Sequence, residues 1–195
     1  MPLAKGRRIL ALFSSGRLLD WSYMTIQKRA AADSAEQETV LLVEDDGNDV
    51  LLTTLALQRI HPTLPLRIVN DGEAAVCYLK GEGVYRDRKK FPVPTLVLLD
   101  INMPRKSGFE VVGWIRQQAG LKDLPVVVFS SSSKPADVHE AYRNGANSYL
   151  VKAGRFDAWV ELLTGTVIDW MKHHRMPQSL VVQSEQAGRR ANPKL

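Results

Sequence analysis

Short apolar runs recur along the middle of the chain, and each ends on polar chemistry. Val40-Leu41-Leu42-Val43 runs into Glu44-Asp45, Leu96-Val97-Leu98-Leu99 into Asp100, Val126-Val127-Val128-Phe129 into Ser130, and Ser148-Tyr149-Leu150-Val151 into Lys152. Unbroken apolar runs of this length, separated by helical-looking segments, mark a parallel sheet covered on both faces. The pattern predicts five βα units. Strands are expected at Val40–Val43, Leu66–Val69, Leu96–Leu99, Val126–Phe129 and Asn147–Val151. Helices are expected at Asn48–Ile60, from just after Asn70-Asp71-Gly72 to near Gly81-Glu82-Gly83, and at Ser107–Ala119, Pro135–Asn144 and Arg155–Lys172. Asp46 or Asn48 is placed to cap the first helix, and Pro62 and Pro65 punctuate its end.

Parallel strands share one edge at their C-terminal ends, where open α/β sheets place their sites. Glu44, Asp45, Asp100, Ser130 and Lys152 would meet there: three carboxylates, a hydroxyl and an ammonium group. That set suits a divalent cation together with a phosphoryl group. For the acids around Glu44-Asp45-Asp46 alone, an equally good reading is a helix N-terminus enriched in acids to suit the macrodipole.

Further along, Phe156, Val160, Leu163, Val167 and Trp170 recur at helical spacing, widened by Trp159 and Leu162. This stripe is expected to pack on the sheet, with Trp159 or Trp170 facing a partner as the alternative. Cys77 is the single cysteine, so no internal disulfide can form; among Ala74, Ala75, Val76 and Leu79 it reads as a small buried thiol. The segment Glu82–Pro94 is long for a connection of this kind and holds Arg86, Arg88, Lys89 and Lys90. It reads either as a solvated loop or as a partner-docking surface.

The net charge of +5 dissolves when the chain is divided. Residues 1–38 carry six basic and four acidic groups, residues 39–176 carry 17 and 16, and residues 177–195 carry three and one. No concentrated basic face is left for nucleic acid, and DNA binding is not expected. No apolar run approaches the roughly 20 residues that span a bilayer, so no membrane insertion is expected, and the lone cysteine is compatible with a cytoplasmic setting. Residues 1–38 form an N-terminal extension expected to be poorly ordered, apart from a short helix near Leu18 to Thr25. The run Ile9–Phe13 after Lys5, Arg7 and Arg8 is too short for a signal peptide, and Met24 offers an alternative start. Residues 177–195 read as a flexible polar tail.

The phrase Leu99-Asp100-Ile101-Asn102-Met103-Pro104, followed by Lys106-Ser107-Gly108, joins the strand-end residues to make a specific constellation. It resembles the receiver domain of two-component response regulators; the resemblance spans roughly residues 39–172 in motif order and spacing, within a receiver domain expected at residues 39–176. It implies a flavodoxin-like doubly wound (βα)5 fold with a five-stranded parallel sheet in the order 2-1-3-4-5. Asp100 is then the phosphoacceptor, and Mg²⁺, with Mn²⁺ as an alternative ion, is held by Asp45, Asp100 and the backbone carbonyl of Asn102. Glu44 acts through a coordinated water, Lys152 pairs with phosphoryl oxygens, and Ser130 donates its hydroxyl to them. Tyr149 is the switch aromatic, and Asn102 and Ser132 tune the phosphoryl lifetime. The switched face is expected on helix four, strand five and helix five, carrying Val138, Ala141, Tyr142 and Trp159, with homodimerisation through that face and Trp170 as a contact. One departure stands out: Ala153-Gly154 replaces the family's proline after the lysine, so a trans Lys152-Ala153 bond is expected.

The implied function is a single-domain response regulator that takes a phosphoryl group from a sensor histidine kinase, outside the enzymes proper. The long loop and the missing proline are similar to regulators that serve phytochrome-like kinases. Alternatives are a phosphorelay intermediate passing the group to a histidine phosphotransferase, and a pseudo-receiver scaffold that is never phosphorylated. A phosphoaspartyl hydrolase of the haloacid-dehalogenase type needs a second aspartate two residues after the nucleophile; here Asn102 stands there and cannot shuttle a proton.

Overall fold

The structure, a computed structural model, describes residues 38–173 together with two short strands, Leu10–Leu12 and Leu18–Asp20. Those two strands pair antiparallel, with Leu10 opposite Asp20 and Leu12 opposite Leu18. The helix expected from Leu18 is therefore a strand at its start: the two short strands pair with each other rather than continuing one helix. The rest of the expected N-terminal extension, and the expected tail at 177–195, lie outside the described residues.

From Glu38 onward the elements alternate: β1 (Val40–Val43), α1 (Gly47–Ile60), β2 (Leu66–Val69), α2 (Gly72–Lys80), β3 (Leu96–Leu99), α3 (Gly108–Gln117), β4 (Val126–Ser130), α4 (Pro135–Arg143), β5 (Ser148–Val151) and α5 (Phe156–His173). The sheet is wholly parallel in the order β2-β1-β3-β4-β5. Val40 stands beside both Leu66 and Leu96, and Val127 beside Ser148. This is the flavodoxin-like order expected from the sequence.

Period-two alternation along the strands divides the core into two layers. Leu41, Val43, Val97, Leu99, Val126 and Val128 point to the face covered by α2, α3 and α4, where Tyr78, Val111, Val112, Ile115 and Ala141 are buried. Val40, Leu42, Leu96, Leu98, Val127 and Phe129 point to the face covered by α1 and α5, where Ala56, Leu57, Trp159, Leu163 and Val167 are buried. Every residue of β1, β3 and β4 is buried, whereas β2 and β5, at the sheet edges, are half-covered. That is why the central strands read as continuous apolar runs and the edge strands less clearly.

Helix starts fix where the loops deliver their side chains. Asp46 caps α1, accepting from the amides of Asn48 at 2.7 Å and Asp49 at 3.2 Å. Asp71 caps α2 at 2.7 Å from the Ala74 amide, and Ser107 with Glu110 forms a reciprocal capping box on α3. Gly108 lies so close to the end of β3 that a Cβ there would stand 2.2 Å from the Asp100 carbonyl oxygen.

The segment after α2 is ordered rather than loosely solvated. A 3₁₀ turn at Gly83–Tyr85 leads to Arg88, whose guanidinium turns inward. It donates to the carbonyls of Tyr78 (2.8 Å), Leu79 (2.6 Å) and Phe91 (3.2 Å), closing the C-terminus of α2. Tyr78, Tyr85 and Phe91 pack ring against ring, with centroids 5.2–6.0 Å apart. Arg86, Lys89 and Lys90 remain exposed, so the expected basic cluster is one structural arginine and three surface cations.

Three further expectations change. Cys77 is half-buried rather than buried, because its neighbours Ala75, Tyr78 and Leu79 take the inward positions of α2. Ala141 and Trp159 are core residues and cannot form a docking face. Trp159 packs edge-on against Phe129 with ring centroids 4.9 Å apart, and its indole N–H is bonded to the Ala153 carbonyl. Of the residues expected on the switched face, Tyr142 is exposed and Val138 half-exposed; Trp170 lies partly buried against the α1/α5 layer.

Candidate functional site

The chain reverses direction across the sheet between β1 and β3: from β1 it moves to one neighbour, from β2 it returns to the other side. The C-terminal ends of β1 and β3 therefore open a crevice between the loops that leave them in opposite directions. Glu44 ends β1 and Asp100 ends β3 at that point, and Ser130 and Lys152 arrive from β4 and β5.

Lys152 is the hub. Its Nζ lies 2.6 Å from Glu44 Oε2, 2.8 Å from Asp49 Oδ2 and 2.7 Å from Asp100 Oδ2. A lysine ammonium has three N–H donors, so these three carboxylates engage all of them. The Lys152 side chain is 5% exposed, Glu44 2% and Asp100 6%, while Asp49 is 26% exposed and faces the opening. Charges buried this deeply are tolerated only when paired and hydrogen-bonded.

The other oxygen of the Asp100 carboxylate accepts three hydrogen bonds: from the amides of Ile101 (2.6 Å) and Asn102 (3.1 Å), and from the Ser130 hydroxyl at 2.7 Å. The Asn102 side-chain amide reaches the same hydroxyl at 3.4 Å. Asp100 is thus held rigidly at the strand end with both oxygens directed.

These surroundings set the protonation states. Burial by itself raises the Asp100 pKa, but hydrogen bonds from Lys152 and Ser130 and the Lys152 charge outweigh it, so the group lies below the ordinary carboxylate range. Glu44 goes the other way: burial dominates and pushes it up to about 7, against the opposing bond and charge of Lys152. For Lys152, burial favours the neutral amine, yet bonds to Asp100, Asp49 and Glu44 prevail and hold the ammonium charged well above its usual range.

A second group of residues lies beside this cluster. The Tyr149 hydroxyl donates to the Ser132 carbonyl at 2.8 Å, with its ring packed against the α2–α4 core layer. The Ser132 hydroxyl is bonded to Asp137 in the first turn of α4. The Ser132 amide lies 3.4 Å from the Ser130 hydroxyl. The loop after β4 therefore ties Ser130 and Tyr149 to the start of α4.

Of the residues expected from the sequence, Glu44, Asp100, Asn102, Ser130 and Lys152 meet directly, and Ser132 and Tyr149 adjoin them. Asp45 stands exposed at the rim. Among the described residues, no three acidic, histidine or cysteine side chains are gathered as a metal cage. The oxygen chemistry nevertheless fits a hard divalent ion: two buried carboxylates and one exposed carboxylate stand at one strand edge, and such an ion commonly keeps several waters. Among the described residues no peptide bond is cis, so Lys152-Ala153 is trans. Asp49 was not legible as a site residue. It stands four residues after Asp45 in the first turn of α1, and only the helix start at Gly47 turns it toward Lys152.

Comparison with known proteins agrees with this geometry. Residues 40–164 match the model of the response regulator receiver domain. The response regulator Rcp1 of Synechocystis is 34% identical over 145 residues, which cover 74% of this chain and 97% of that protein. A crystal structure of the Mn²⁺-bound form of Rcp1 superposes with a TM-score of 0.64, at 34% identity, over 72% of this chain and 99% of that one. The phosphorylated cyanobacterial phytochrome response regulator RcpA gives 0.66 at 32% identity, covering 72% and 99%. The response regulator RPA3017 in red light signaling of R. palustris gives 0.68 at 37% identity, covering 72% and 98%. With strand order, strand-end residues and relatives in agreement, the chain belongs to the response regulator receiver family.

Proposed function

We propose that the protein is a phosphorylation switch in which Asp100 accepts a phosphoryl group from the phosphohistidine of a sensor kinase. The observation that carries this reading is the convergence of Lys152 Nζ and the Ser130 hydroxyl on the two oxygens of Asp100, at 2.7 Å each. An O–P bond forms at Asp100 as the N–P bond of the donor breaks; the imidazole nitrogen leaves with the electron pair and is protonated by solvent. The depressed pKa of Asp100 keeps it an anion able to attack. After transfer the Lys152 ammonium and the Ser130 hydroxyl face phosphoryl oxygens instead of carboxylate oxygens. A divalent ion held by Asp45, Asp100 and the Asn102 carbonyl, with Glu44 reached through water, would neutralise the repulsion between carboxylate and phosphoryl oxygens.

Because Ser132 follows Ser130 in the loop after β4 and its amide reaches the Ser130 hydroxyl, and Ser132 is bonded to both Tyr149 and α4, a pull on Ser130 is passed to the start of α4 and to β5. Asn102 and Ser132 flank the site and set how long the phosphoryl group lasts. Similarity to Rcp1, RcpA and RPA3017 supports a phytochrome-like sensor kinase as donor and a divalent metal as cofactor. Output is through protein contacts on the α4–β5–α5 side, where Tyr142 is exposed, including pairing with a second copy or contact with a histidine phosphotransferase.

Incubation with Mg²⁺ and acetyl phosphate tests the reading. One added phosphoryl mass, labile to base and missing in Asp100→Asn, is expected; an unmodified wild-type chain would instead make the protein a scaffold. Asp45→Asn should weaken Mg²⁺ binding, and an unchanged affinity would remove Asp45 from the metal set.

A further inference from the structure

We infer that Asp49 is a positioning residue for Lys152: together with Glu44 it holds two of the three ammonium N–H groups, so that the third is aimed at Asp100. This rests on Asp100 as phosphoacceptor and adds a residue to that site.

A lysine is a flexible four-carbon stem, and ordering it costs rotamer entropy. Its ammonium is aimed only if its surroundings aim it. The backbone after Lys152 supplies little constraint. Gly154 is exposed, and a Cβ there would meet nothing within 4 Å. What fixes the strand end is the Lys152 amide on the Ser130 carbonyl at 2.8 Å and the Trp159 indole on the Ala153 carbonyl. Neither of these bonds reaches the ammonium.

Glu44 alone cannot hold the head in place. Its Oε2 takes one N–H of Lys152, while its Oε1 accepts from the Asp46 amide at 3.2 Å. Asp49 supplies the second anchor from a different element, and its own position is secured because its amide is bonded to the Asp46 cap. The two anchors come from the end of β1 and the first turn of α1, and Asp100 from the end of β3. When the Asp100 carboxylate becomes an acyl phosphate, only the third contact changes partner, from a carboxylate oxygen to a phosphoryl oxygen. Glu44 and Asp49 keep theirs. Without Asp49 one N–H has no fixed acceptor and turns to water at the open side of the crevice, carrying the ammonium off the line to the phosphoryl group.

The test uses the full chain and two variants, Asp49→Ala and Asp49→Glu. At saturating Mg²⁺ and acetyl phosphate, Asp49→Ala should be phosphorylated roughly tenfold to a hundredfold more slowly, the scale set by misplacing a reacting group by about 1 Å. Its calorimetric Mg²⁺ affinity should stay within about threefold of wild type, since Asp49 acts through the lysine. Asp49→Glu should recover most of the rate. Independently, the ¹H–¹⁵N signal of the Lys152 ammonium, assigned by its loss in Lys152→Arg, should be visible in the unmodified protein and broadened in Asp49→Ala. A rate within twofold of wild type, an Mg²⁺ affinity weakened well beyond threefold, or an unaltered ammonium signal would each overturn the inference. If the wild type takes up no phosphoryl group at all, the phosphoacceptor reading fails instead, and the ammonium signal still decides the role of Asp49.

Discussion

The Arg105 guanidinium is ion-paired with Asp71, joining the loop that leaves Asp100 to the start of α2. Arg105 holds a left-handed backbone conformation, φ 68°, which a side chain adopts only when its surroundings compel it. Asp71 is 10% exposed, its pKa is lowered first of all by the bond from Arg105, and it also caps α2. The loop carrying Asn102 is therefore anchored to a neighbouring helix.

Asp71→Ala removes both the cap and the ion pair, so it should cost about 1–2 kcal/mol in urea unfolding. Arg105→Ala should lower the urea midpoint by less, because the cap survives. Equal losses from the two substitutions would show that the cap contributes nothing.

Arg88 should behave quite differently from its basic neighbours. Its guanidinium satisfies three carbonyls in fixed directions, and a lysine head cannot reproduce that fork. Arg88→Ala should destabilise by about 2–3 kcal/mol, with Arg88→Lys recovering little. Lys89→Ala and Lys90→Ala, at exposed positions, should stay within about 0.5 kcal/mol of wild type. Thermal and urea unfolding of the four variants would decide it. Indistinguishable behaviour would mean the whole segment is a solvated loop.

Gly108 is required by close approach rather than by its backbone angles. A methyl group there would strike the Asp100 carbonyl oxygen and stand 2.8 Å from the Ile101 Cα, both backbone atoms at the proposed phosphoacceptor strand end. Gly108→Ala should therefore destabilise by about 1–3 kcal/mol and displace Asp100 enough to slow phosphorylation. Wild-type stability together with a wild-type rate would contradict the packing described.

The raised pKa of Glu44 gives a signed pH dependence. Below its ordinary value of 4.5 the group is protonated in folded and unfolded chains alike, and between there and about 7 only the folded chain keeps the proton. The folded state binds more protons in that window, so the contribution is fully present at acid pH and is lost as pH rises to about 7. In metal-free buffer, the stability of wild type minus that of Glu44→Gln should fall between pH 4.5 and 7, by at most roughly 3 kcal/mol. A difference that stays flat, or grows with pH, would show that Lys152 keeps Glu44 ionised throughout.

Much of this was legible in the chain because both faces of the central strands are covered. That burial forces unbroken apolar runs in β1, β3 and β4, and the residue after each run has to lie at the sheet rim. Glu44, Asp100 and Ser130 follow from that rule, while Lys152 follows the less apolar run of the edge strand β5. Asp49 did not follow, since its direction depends on where Asp46 starts the helix. Arg88 read as a loop charge because inward and outward guanidinium groups look alike in sequence. Ala141 and Trp159 were placed on the switched face by the resemblance, which does not say how deep each side chain lies; the core reading of the stripe holds for Trp159.

The most direct measurement is the chemical identity of residue 100 after phosphorylation. Borohydride reduction of protein treated with Mg²⁺ and acetyl phosphate converts an aspartyl phosphate to homoserine, and peptide mass spectrometry locates it. Homoserine at position 100, dependent on Mg²⁺ and strongly reduced in Lys152→Ala, is the predicted result. Homoserine at another acidic residue, or at none, would contradict the assignment of Asp100.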